Sequence, residues 1–100
     1  MPDDILVEIV ELCLSLDSKA DQIATFLASH AKIKELGDFW SEMAAEEKEH
    51  VSFWKKILEL AKSGALPQIF DDPVKVRKEL KNADEKTELL VTHSLEGLDI

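Results

Sequence analysis

Between Ile5 and Ala31, the residues Leu6, Ile9, Cys13, Leu16, Ala20, Ile23 and Leu27 recur at alternating steps of three and four, the period of one helical face. No proline or glycine interrupts the run, so the spacing predicts one long helix, roughly 40 Å at about 1.5 Å per residue. A second run from Leu36 to Ala61 places Leu36, Trp40, Met43, Glu47, His50, Trp54, Ile57 and Ala61 on a single seam with steps alternating between four and three. The rows Gly37, Ala44, Val51, Leu58 and Phe39, Glu46, Phe53, Leu60 widen its apolar face. Asp38, Lys48, Ser52, Lys55, Glu59 and Lys62 fall outside it. On this pattern the polar pair Glu47 and His50 is expected to point inward.

Ser63-Gly64, with Pro67 beyond, predicts the end of the second helix near Ser63. Asp72 before Pro73 supplies a cap and a proline at the first helical position, which predicts a third helix from Pro73 to about Ala83. Asp84 is a candidate start for another. The final stretch EKTELLVTHSLEGLDI has apolar positions but no C-terminal cap, as expected either of a frayed end or of the beginning of a further long helix in a longer protein. There is no internal repeat, low-complexity tract or strand-like alternation. The expected fold is all-α: a long antiparallel helical hairpin plus a shorter C-terminal helical segment. Residues 1–100 would form one domain, or the N-terminal half of a complete bundle.

Charge narrows the function classes. Twelve Lys and Arg stand against twenty-one Asp and Glu, a formal net charge of −9. Nucleic-acid affinity is driven by Lys and Arg displacing counterions from phosphates, so this balance argues against a nucleic-acid partner. It argues equally against an anionic membrane surface, and no apolar run approaches the roughly 20 residues that span a bilayer. The acidic opening MPDD does not resemble a secretory signal, and Cys13 is the only cysteine. Both features predict a cytoplasmic protein without disulfides.

The chemistry is concentrated in Glu47 and His50. Burying a carboxylate and an imidazole costs several kcal/mol unless hydrogen bonds, an ion pair or a bound cation compensate. Three residues apart on a helix, the two side chains leave one face a turn apart and can hold one cation between them. With twelve glutamates in the chain, one such pair is an ordinary chance event, so the weight lies in its place on the apolar seam. The alternative is a neutral core histidine hydrogen-bonded to Glu47 or to a neighbouring helix, with Glu46 and Glu49 solvated.

The stretch AAEEKEH, Ala44 to His50, resembles the second-helix signature of the rubrerythrin-like branch of the ferritin-like di-iron carboxylate family. The resemblance extends back without a gap through ADQIATFLASHAKIKELGDFWSEMAAEEKEH and covers the spacing of the family's first two helices. It implies a ferritin-like four-helix bundle with a carboxylate-bridged iron pair, or manganese or zinc, and oxygen, peroxide or iron-oxidation chemistry. It assigns Glu47 and His50 as ligands and puts the first-helix ligand at Asp17, where the family usually has the longer glutamate; Asp21, one turn on, is a weaker substitute. LEGLDI, Leu95 to Ile100, resembles the start of the third helix and makes Glu96 a fourth candidate; His93 shares its face, in an order that is not the family's. The second Glu-x-x-His of the family is absent.

The family spacing requires a turn near Lys32 or Ile33, which sets Asp17 level with Glu47 and His50. Gly37-Asp38 offers a competing stop and cap that would set Ala24 and Leu27 there instead. The family spacing is followed. His30 is expected to be a helix-terminal histidine, Cys13 a packing residue, and Trp40 and Trp54 walls of the core. Two amphipathic helices cannot bury wide apolar faces against each other alone, so a second copy is the expected partner, completing four helices and bringing two Glu-x-x-His motifs to a central site. The competing expectation is a non-enzymatic helical interaction or oligomerisation module that has lost metal binding.

Overall fold

A computed structural model describes residues 3–97, with side chains over 3–92. Three helices follow one another: α1 (Asp4–His30), α2 (Lys34–Lys62) and α3 (Pro73–Gly97). The molecule is elongated, 50 × 23 × 18 Å, as helices of 27 and 29 residues require. Among the described residues no helix is long and apolar enough to cross a membrane.

The ends follow local chemistry. Asp3 caps α1, its Oδ1 accepting from the Leu6 amide at 3.0 Å. The chain leaves α1 through an extended Ala31 and enters α2 after an extended Ile33, so the turn occupies residues 31–33. Gly37 lies inside α2, its amide bonded to the Ile33 carbonyl at 3.0 Å. The helix runs on through it, so the competing stop signal at Gly37-Asp38 is not used; a Cβ there would meet Ala31 and Ala28 at ordinary contact distances. At the far end Gly64 adopts φ 79°, with Gly64 N bonded to Ala61 O and Ala65 N to Leu60 O, a Schellman ending as predicted.

The third helix departs from expectation. Asp72 caps it, its Oδ1 accepting from Lys75 N at 3.1 Å, but the helix does not stop near Ala83; it continues to Gly97. Asp84 starts nothing. It reaches across to α1, accepting from Ser15 Oγ at 2.7 Å and Lys19 Nζ at 2.9 Å, while Glu88 takes the same ammonium at 3.1 Å.

Helix α1 is the central element. It packs against α2 along the hairpin and against α3 on another side, and α2 and α3 make no close approach to each other among the described residues. The buried positions Leu6, Ile9, Val10, Ala24, Ala44 and Ala61 belong to the α1–α2 hairpin. Among the described residues, one side of α2 therefore has no cover. Leu36, Phe39, Phe53 and Leu60 are 46–54% exposed, so the row Phe39, Glu46, Phe53, Leu60 is wet, whereas Gly37, Ala44, Val51 and Leu58 are half-buried or buried.

The Lys19–Asp84 pair fastens α3 to α1 with both side chains under a fifth exposed. Burial opposes charge on each, but the contacts win: hydrogen bonds and charge from Asp84 and Glu88 raise Lys19, and Lys19 and Ser15 lower Asp84. The contribution of Asp84 is thus present above the carboxylate's ordinary value of 3.8 and lost as pH falls through its lower folded value. Lys19→Met is expected to destabilise the fold by about 1–2 kcal/mol, leaving Asp84 without its cation. Thermal melts at neutral pH check this; an unchanged midpoint contradicts it.

Candidate metal centre

The turn at residues 31–33 sets the two long helices in register, and cross-hairpin contacts report that register directly. Asp21 meets Lys48 at 2.7 Å, and Asp17 meets Trp54 at 2.6 Å. Asp17 on α1 consequently arrives beside Glu47 and His50 on α2. One ligand atom from each of the three lies within 4.8 Å of the others. Of the sequence candidates, the structure brings these three together, while Glu96 and His93 lie outside the residues whose side chains are described.

The two members of the Glu-x-x-His pair differ in environment. The Glu47 side chain is 16% exposed, and that of His50 is 56% exposed. The inward expectation thus holds for Glu47 and not for His50 within one chain. The reason is geometric: α3 packs on α1 rather than over the hairpin, so among the described residues no other helix covers the side of the seam carrying His50. His50 Nδ1 stands 3.6 Å from Glu47 Oε2, within ion-pair range but too long for a hydrogen bond.

Among the described residues, Glu47 Oε2 is buried and has no hydrogen-bond partner. Burial pushes the Glu47 carboxyl above its ordinary value, and the adjoining Asp17 carboxyl pushes it further; His50 pulls it back only in part. Two carboxyl groups packed together between the helices, with one buried oxygen lacking a partner, are placed to take up a proton or a cation. Two oxygen donors and one imidazole suit ferrous iron, manganese or zinc by ligand type. The residues present therefore fit a divalent cation.

Neighbouring residues behave differently. Asp21 is neutralised by Lys48 and accepts from Thr25 Oγ1 at 3.1 Å, so it is not a substitute ligand. His30 is exposed, stacked on Phe26 with ring centroids 4.1 Å apart, its Nδ1 3.0 Å from the Phe26 carbonyl: a helix-terminal histidine, as expected. Cys13 is half-buried, and burial, then the Asp17 charge, raise its thiol above the ordinary range, which suits packing rather than reactivity. Trp40 and Trp54 are half-buried. The role of Trp54 as a donor to Asp17 was missed in the sequence. Its only signal there is its place four residues after His50 on the same seam.

No family model, curated protein or solved structure matches this chain.

Proposed function

We propose that the protein is a ferritin-like, rubrerythrin-related metal protein, with Asp17, Glu47 and His50 as ligands to iron and Glu96 as a further candidate. The observation that carries this reading is the orphaned, buried Glu47 oxygen beside a second carboxyl and an imidazole. A cation supplies the missing partner and removes the repulsion between the acids. Manganese or zinc satisfies the same donors. Three donors leave the coordination of iron incomplete, and the exposed His50 lies on the uncovered side of α2. A second copy facing that side brings another Glu47 and His50 and completes four helices around a carboxylate-bridged pair of ions.

Bound iron would supply one-electron redox chemistry toward oxygen or peroxide. The chain itself contributes anionic ligands that stabilise the higher charge state, and an imidazole. Metal analysis of untagged protein tests the reading. Stoichiometric iron is expected in the parent and none in Glu47→Ala or His50→Ala; a parent without metal contradicts it.

One observation favours a second reading, a helical interaction module without metal. Phe39, Phe53 and Leu60 present an apolar row that needs a partner whether or not an ion is bound. On that reading the parent self-associates equally well in the presence of a chelator.

A further inference from the structure

The Trp54 indole donates from Nε1 to Asp17 Oδ2 at 2.6 Å, crossing the hairpin from α2 to α1. Trp54 follows His50 by four residues and Glu47 by seven, so all three side chains leave one face of α2 in successive turns. Two other half-buried carboxylates show what a different cross-helix partner does. Asp21 is held by the Lys48 ammonium at 2.7 Å and Asp84 by the Lys19 ammonium at 2.9 Å. In both, the partner cancels the carboxylate's charge. An indole N–H is an uncharged donor with no acceptor capacity. It fixes the orientation of Asp17 and leaves the negative charge in place beside Glu47.

We propose that Trp54 is a positioning residue for the metal centre: its indole N–H holds the Asp17 carboxylate toward Glu47 and His50 and preserves the anionic charge that receives the cation. The proposal rests on the metal-binding reading. Partners that orient a ligand in this way are typically worth about 10–100-fold in metal affinity.

Trp54→Phe keeps an aromatic ring and removes the donor. Titration with cobalt(II) as the probe is expected to show binding weakened by about 10-fold or more. In an Asp17→Asn background, adding Trp54→Phe is expected to cause no further loss. A general packing role would weaken both backgrounds alike, and that result, or unchanged affinity in Trp54→Phe, overturns the proposal. Indole proton resonances of the unsubstituted protein give a readout that does not depend on the variant folding. On addition of zinc(II), the Trp54 signal is expected to shift and the Trp40 signal to stay; a stationary Trp54 signal on saturation overturns the proposal. A parent that binds neither cobalt nor zinc defeats the metal reading itself, whereas a binding parent indifferent to Trp54 defeats only this inference.

Discussion

On the proposed pairing of two copies through α2, Phe53→Glu is expected to give single chains. Phe39, Phe53 and Leu60 recur on α2 at spacings of fourteen and seven residues, at 50, 54 and 46% exposure, and Leu36 adds a fourth apolar side chain at 50%. Completing the burial of each removes apolar area worth about 1 kcal/mol, half of what a fully buried Phe or Leu contributes. Counted on both copies, this is about 8 kcal/mol, of the same order as the entropic cost of association, so a charge at the centre is expected to tip the balance toward single chains. Two copies of −9 already repel, and Glu46 lies in the same row between Phe39 and Phe53. Another glutamate at position 53 sets like charges against one another in a desolvating contact. A rise in the dissociation constant of roughly 100-fold or more is expected, by analogy with centrally placed aromatic anchors at interfaces. Sedimentation equilibrium reads it. A parent that remains monomeric at tens of micromolar contradicts the partner assignment, and a variant that dimerises unchanged places the contact elsewhere.

The second large effect has opposite signs in two states of the protein. Without metal, Glu47→Gln is expected to stabilise the fold; with metal, it is expected to remove binding. The Glu47 carboxyl is raised by burial and by Asp17, so the folded state holds its proton more tightly than the unfolded chain does. Its contribution to stability is therefore fullest at pH below the ordinary carboxylate value of 4.5 and is lost as pH rises through the higher folded value. Above that raised value the ionised side chain carries a buried oxygen with no hydrogen-bond partner among the described residues, beside a second carboxyl. Replacing it with a neutral amide recovers about 1 kcal/mol, or about 4–8 °C in the melting midpoint of a domain this size. The difference between parent and variant should shrink on acidification. Metal reverses the order, since only the parent gains the binding energy. A variant that melts below the metal-free parent at neutral pH contradicts the account.

Much of this architecture was legible along the chain because it depends on local rules. The period of α1 and α2, the Asp72-Pro73 start and the Gly64 ending each rest on side chains within a turn of the feature they produce. The turn was harder. Gly37-Asp38 is a sound local stop signal, yet residues 31–33 make the turn, since an interior glycine costs a helix only about 1 kcal/mol and packing of the long hairpin outweighs it. What depends on tertiary partners was not legible. Asp84 resembles a cap until Lys19, 65 residues earlier, claims its carboxylate. His50 shares a seam with Glu47, but a seam does not say which of its sides a third helix leaves open. From the sequence Trp54 reads as a wall of the core, because its donor has meaning only when Asp17 stands opposite.

The central claim is that an ion joins Asp17 on one helix to Glu47 and His50 on the next. Anomalous scattering at the iron edge, from crystals grown with ferrous iron under anaerobic conditions, tests it most directly. The account predicts a peak at coordinating distance from all three side chains, with Glu47 Oε2 turned to the ion. A map without a peak there, with Glu47 and Asp17 sharing a proton and His50 in solvent, would contradict it.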